Sequence, residues 1–331
     1  MKTYFPTHRI LSVVCLAAAL AAGSLLGAPA APAPAVPAET YKTPDEAVAA
    51  LTAALKADDT KALDVIFGSE LKTVLSADPS ERKSEYDAFV KAYAVSVQLA
   101  KVGDDKIILN VGEKAWPLPF PLVKGKDGRW MFDTAAGREE ILNRRIGENE
   151  LGAINLLLRY VDAQREYASN DWDGDGVLSF AQRLVSTPGK KDGLYWSSEQ
   201  DVSISPMAEM VDEAKQAGYK FVKTVGGVSQ AYEGYIYKIL TKQGPAAPLG
   251  KYNYVINGKM IAGFGMVAFP VKYGNSGIMS FMVNQQGIVY QKNLGPNSAA
   301  LGAAMTEYNP DAGWKPVEVE TGDFTPAAGQ N

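Results

Sequence analysis

The chain has one histidine, His8, and one cysteine, Cys15, and both lie close to its N-terminus. Everything after Cys15 works without imidazole or thiol. Histidine is the usual general base near neutral pH, and histidine and cysteine are the usual ligands of zinc, copper and haem iron. Their absence excludes Ser-His-Asp triads, cysteine nucleophiles, thiol redox chemistry and ordinary zinc hydrolase sites. Carboxylate chemistry, a Ser–Lys pair, hard-cation binding, or no catalysis at all remain. Long apolar runs are scarce as well. Past the N-terminal stretch, no segment is long and apolar enough to span a bilayer. Basic clusters are missing too: 33 basic residues face 37 acids for a net charge of −4, and no block of Lys/Arg stands out. A nucleic-acid partner is therefore not expected.

The N-terminus itself reads as a secretory signal. Lys2 and Arg9 form a positive n-region, an apolar run follows over 10–26, and Ala28-Pro29-Ala30 suits a signal peptidase. Residues 1–30 are the expected signal peptide and 31–40 a Pro/Ala linker. A membrane anchor is the alternative, but the run is Ala-rich and no basic stop-transfer cluster follows it. Lipidation at Cys15 is a second alternative, for which Val14 is a poor preceding residue. Cleavage removes Lys2 and Arg9 and no acid, so the mature chain is more acidic than the whole. The expected location is periplasmic or secreted.

At 331 residues, 47% hydrophobic and 21% charged, the chain has the balance of a soluble protein with a sizeable core, and two domains are the natural expectation. Thr43-Pro44-Asp45-Glu46 is a helix start: an N-cap, a proline at the first helical position, then two acids. Further helices are expected over 60–66, stopped by Gly68, and over 80–94. Strands are expected over 107–111, 115–123 and 129–132, with Lys126-Asp127-Gly128 as a hairpin turn. Helices followed by a curled antiparallel sheet resemble the small cone-shaped folds of the cystatin and nuclear-transport-factor type over 41–135. A long helix is expected over 134–168, with Leu151, Ile154, Leu158 and Val161 as its apolar stripe. A short helix over 179–185 follows, and Ser205-Pro206 starts another, with Met207, Met210, Val211 and Ala214 inward, that Gly218 stops. The remainder is β-rich: 234–240, a long strand over 259–270, and a hairpin of 277–283 with 287–291. Residues 136–320 form the expected second domain and 321–331 a flexible tail. The fold class is α+β.

The sharpest chemical signal is Asp171-Trp172-Asp173-Gly174-Asp175-Gly176-Val177-Leu178-Ser179. Carboxylates at loop positions 1, 3 and 5 converge on one centre, and glycine at 6 permits the sharp turn. Val177 would donate its carbonyl at position 7, and Ser179 stands at 9, where ligation often runs through water. Position 12 is Gln182 where a bidentate glutamate is usual, which lowers the expected affinity for Ca²⁺ to about 10⁻⁴–10⁻³ M. The competing reading is a solvated acidic turn. Glu139, Glu140, Glu148 and Glu150 read as a solvated helix face rather than a catalytic pair. Ser197 and Ser198 with Lys190 and Lys191 lack the helical Ser-x-x-Lys motif. Trp116, Trp130, Trp196 and Trp314 read as core or rim aromatics.

Five segments carry a family resemblance: TPDEAVAAL (43–51), GRWMFDTAAGREEILNRRIGENELGAI (128–154), YVDAQREYAS (160–169), STPGKKDGLYW (186–196) and the run from Gly263 to Gly295. On these the chain resembles a bacterial exported family, the domain of unknown function number 2950, from Lys42 to Val319. The resemblance implies export and no assigned activity. Residues 149–169, 234–239 and 267–290 are also similar to the globular part of type IV pilin-like proteins, in which a helix packs on an antiparallel sheet. Pilins polymerise through an apolar N-terminal half-helix. Here Arg138, Glu139, Glu140, Arg144 and Arg145 stand at that position, and burying them in a filament core would be prohibitive. The expectation is an exported envelope protein with a non-catalytic structural or binding task and a calcium-stabilised loop, whose partner is an unidentified envelope protein or ligand. The alternative is a carboxylate-dependent envelope hydrolase.

Overall fold

The computed structural model describes residues 37–69, 71, 79–196, 205–216 and 231–318. The expected signal peptide, most of the linker, Ser197, Ser198, Gly218 and the tail over 321–331 lie outside these residues. Helices and antiparallel sheets make an α+β chain of two compact units, Met1–Arg145 and Ile146–Asn331. The break between them falls inside one continuous helix, ten residues after the boundary expected between 135 and 136.

In the first unit, helix α1 (Pro44–Lys56) begins as the sequence indicates. Thr43 Oγ1 accepts from Glu46 N at 3.2 Å, and the Glu46 carboxylate accepts from Lys42 N at 2.9 Å, so two free backbone donors are satisfied reciprocally. Asp59 Oδ1 accepts from Lys61 N and Ala62 N to start α2 (Thr60–Phe67), and Gly68, at φ 74°, ends it. Helix α3 (Pro79–Val95) leads into strands β1 (Val97–Lys101), β2 (Lys106–Val111), β3 (Trp116–Pro117), β4 (Leu122–Lys124) and β5 (Trp130–Phe132). Their order is β1-β2-β4-β5, with β3 also on β2, all antiparallel. The single strand expected over 115–123 is instead two short ones. Pro117, Pro119 and Pro121 cannot donate to a ladder, so pairing is lost between them. Strand β1 carries no clean alternation and was not expected. The core alternates along β2, where Ile107, Leu109 and Val111 are buried against Leu51, Phe67, Phe120 and Phe132. Phe67 packs its ring 4.9 Å from both Phe120 and Phe132.

Helix α4 (Thr134–Tyr167) supplies the second unit with its central helix. Its buried face holds Ala153, Leu157, Tyr160, Val161 and Gln164, while Leu151 is 64% exposed. The apolar stripe read from the sequence is thus rotated: only Val161 of its four members is fully buried, and Ile154 and Leu158 lie at its margin. Helix α5 (Ala208–Gln216) starts three residues after Ser205, because Ser205 accepts from Ala208 N through its backbone carbonyl and does not cap with its buried hydroxyl. Met207, Met210 and Val211 face inward as expected. The Ala214 side chain is outside the described set.

The main sheet of this unit joins β6 (Tyr235–Leu240), β11 (Gly265–Pro270), β12 (Met279–Asn284), β13 (Tyr290–Asn293) and β14 (Lys315–Pro316), in the order β14-β13-β12-β11-β6. Residues 259–270 are not one strand. Four short strands precede β11: β7 (Lys242–Gln243) pairs β8 (Tyr252–Asn253), and β9 (Val255–Ile256) pairs β10 (Lys259–Met260). Gly263, at φ 147°, then turns the chain where the Tyr254 ring leaves no room for a Cβ. One sheet face packs Met266, Ala268, Phe281 and Val283 in the cluster with α4. The other packs Val267, Phe269 and Met282 with Tyr308 and Trp314, under the short helix α6 (Ser298–Ala304). No helix among the described residues is long and apolar enough to cross a membrane.

Candidate metal centre

The acidic segment leaves the C-terminal end of α4 and is shaped by its own first aspartate. Asp171 Oδ1 accepts from Gly174 N at 2.9 Å and Asp175 N at 3.3 Å, and its Oδ2 accepts from Gly176 N at 2.7 Å. Gly174 and Gly176 sit at φ 73° and 85°, left-handed positions that a side chain would strain. Asp175 Oδ1 accepts from Val177 N at 3.0 Å. Carboxylate oxygens of Asp171, Asp173 and Asp175 all lie within 4.8 Å of one another, and all three residues are exposed. Three convergent hard oxygens of this kind can hold a metal ion.

A side chain that the sequence did not single out meets the triad. Lys259 Nζ lies 3.0 Å from Asp173 Oδ1 and also pairs with Asp175 Oδ2, with only 21% of the lysine side chain exposed. Asn257-Gly258 makes the two-residue turn between β9 and β10, with φ 51° and 82°, and so aims Lys259 at the loop. Electrostatics follow this geometry. Hydrogen bonding from Gly176 N, then from Gly174 N and its neighbours, holds the Asp171 carboxyl below the usual carboxylate range. Lys259 does the same for Asp175, and Asp175 and Asp173 together raise the Lys259 ammonium above its ordinary value.

Both ends of the loop are tied to the core. On entry, Trp172 Nε1 donates to Tyr167 O at 2.9 Å, and its ring meets Trp196 edge-on at 4.9 Å. Lys191 Nζ lies over both indoles, at 4.9 and 5.7 Å. On exit, the helix expected over 179–185 is absent; the chain there is irregular, bridged to Met260 at Phe180 and to Tyr195 at Val185. Phe180 N donates to Met260 O at 2.7 Å, and the fully buried Gln164 bonds Ala181 both ways, its Oε1 accepting from Ala181 N and its Nε2 donating to Ala181 O, each at 2.8 Å. Gln182 spends its amide on Gly258 O at 2.7 Å. The sequence-derived ligand set is therefore divided. Asp171, Asp173 and Asp175 converge, Val177 is bonded through its backbone to Asp175, Ser179 lies in the irregular exit, and Gln182 reaches the β9–β10 turn. Glu150 is no solvated acid either. Its Oε1 accepts from Ile278 N and Met279 N at 2.9 and 3.0 Å, tying α4 to the start of β12.

These features define an α+β protein with an exposed acidic triad set on a core-anchored loop. The chain belongs to the family described as protein of unknown function (DUF2950), whose model matches residues 38–317. Nothing among curated proteins or solved structures matches the chain.

Proposed function

We propose that this is an exported envelope protein, periplasmic or secreted, whose task is structural or binding rather than catalytic and whose acidic loop is stabilised by Ca²⁺. The observation that carries the reading is the convergence of Asp171, Asp173 and Asp175 within 4.8 Å on a loop fixed at both ends. Such carboxylates repel one another unless a cation neutralises them. Fixed ends mean that little chain entropy is lost when a cation does so. Calcium suits the chemistry because it takes six to eight oxygen ligands in adaptable geometry and tolerates water in several of them. Val177 O, Ser179 and water are the remaining candidate ligands. Gln182, engaged at Gly258, is the weakest candidate of the set. The finer fold reading belongs to the same proposal. Helices ahead of a curled sheet support a cone-like first unit, and a long helix against an antiparallel sheet supports a pilin-like second.

Isothermal calorimetry tests the loop. The protein should bind one Ca²⁺ with millimolar or sub-millimolar affinity, and Asp171→Ala should abolish the heat. At tenfold excess over Kd, binding to the folded state alone stabilises it by about 1.4 kcal/mol. No heat in the wild-type protein would leave an ordinary acidic turn closed by its own lysine. Export has a separate readout. Mass spectrometry of the native protein should place its first residue near Ala31, and an intact Met1 on membrane-retained material would refute it.

A further inference from the structure

The two edges of the first unit's sheet are treated differently. At β5 the backbone is capped in cis: Tyr41 N donates to Trp130 O and Trp130 N to Tyr41 O, both at 2.7 Å. At β1 no strand among the described residues pairs with the outer edge. That edge is regular, with all five residues of β1 in register on β2, from Val97 opposite Val111 to Lys101 opposite Ile107. It has no proline and no bulge, and its one charge, Lys101, stands at its end, so the usual devices that blunt an open edge are mostly missing. Apolar surface is exposed on it and just beyond both its ends: Leu99 is 42% exposed, Val95 at the end of α3 56% and Val102 47%.

The hydrogen-bond phase decides what fits this edge. Gly112 N donates to Ser96 O and Val102 N donates to Lys106 O. Even-numbered residues from 96 to 102 therefore turn their backbone groups toward β2, and Val97, Leu99 and Lys101 turn theirs outward. From this we infer that β1 pairs antiparallel with β1 of a second copy of the chain, about a two-fold axis at Leu99. In that register Leu99 and its symmetry mate exchange both of their outward hydrogen bonds, and Val97 of each copy does the same with Lys101 of the other. Every outward group of the strand then has a partner. The same axis sets Leu99 against Leu99, on the sheet face whose neighbours Leu109 and Ile107 are core, so the two cores become continuous along the sheet. It also brings Val102 to the Val95–Ser96 corner of the other copy. One symmetric operation thus covers Leu99 and brings Val102 beside the Val95 end of the other copy, as an isologous contact requires.

A five-residue pairing is a small interface, and the dimer is expected to dissociate in the micromolar range. Sedimentation equilibrium of the purified protein should show a reversible monomer–dimer equilibrium. Leu99→Pro removes the central outward N–H without touching a bond to β2, and Leu99→Lys places charge against charge at the axis. Each should weaken dimerisation at least tenfold while far-UV circular dichroism stays unchanged. Gln98→Lys, on the opposite face and with its backbone turned to β2, should leave the dimer intact and serves as the control. A wild-type protein that stays monomeric at the highest soluble concentration would show the edge unused or covered by the chain's own N-terminal residues. A dimer that survives both Leu99 substitutions would show association elsewhere. Either result overturns the inference.

Discussion

Replacing Gln164 with methionine is expected to destabilise the second unit by about 3 kcal/mol, the loss of a buried polar network rather than of volume. Gln164 is fully buried on α4. Its amide donates to Ala181 O at 2.8 Å and to the Tyr160 hydroxyl at 3.0 Å, and its carbonyl accepts from Ala181 N at 2.8 Å. Methionine matches glutamine in length and shape, so no cavity opens. What remains is a buried N–H and a buried C=O at Ala181 with no partner, each costing roughly 1–3 kcal/mol. For a domain of this size that corresponds to a fall in melting temperature of roughly 6–12 °C. Gln182→Met is the comparison. Its amide also bonds a backbone carbonyl, that of Gly258, but in solvent, where water replaces the lost donor, and the change should stay within about 0.5 kcal/mol. Equal melting temperatures for the two variants would mean that Gln164 does not hold the loop exit.

The same residue explains how far the sequence could be read. Helix ends were legible at Thr43 before Pro44, a start, and at Gly68, a stop, whereas the Ser205-Pro206 signal was displaced to Ala208. Turns were legible where glycine follows aspartate, as at Asp127-Gly128. The three aspartates were legible as a converging set because their spacing alone brings them together. At the loop exit and at Lys259 the failure has one physical cause, a partner distant in sequence. Phe180, Ala181 and Leu184 have helical spacing, yet the backbone of Phe180 and Ala181 bonds Met260 and Gln164 in place of a helical turn. The α4 stripe was misplaced because Ala153, Tyr160 and Gln164 carry the buried face, residue types that a search for large aliphatics passes over. Strand β1 was missed because an edge strand with half-exposed faces has no alternation to read. Lys259 gave no signal at all. Only the turn at Asn257-Gly258 puts it on the triad, and a lone lysine after a turn is usually a solvated one.

Lys259 leads to the last expectation. Substituting it by methionine should tighten calcium binding by roughly three- to tenfold, because the ammonium already neutralises part of the charge that attracts the ion. It pairs with Asp173 and Asp175, so a metal that uses both oxygens has to displace it. Each exposed pair is a weak interaction, since water and salt screen it, and this keeps the expected gain modest. Methionine preserves the packed stem of a side chain that is only 21% exposed and removes the charge alone. Two readouts should then move in opposite directions. Without calcium the variant should melt below the wild-type protein, because three carboxylates are left to repel one another. With saturating calcium the difference should narrow or vanish, so the calcium-induced rise in melting temperature is larger in the variant. Higher salt should shrink the difference in affinity. Calorimetry and thermal unfolding with and without calcium, on wild type and Lys259→Met, measure both. If the variant binds calcium no more tightly than wild type, the ion does not compete with Lys259, and the triad is not its site.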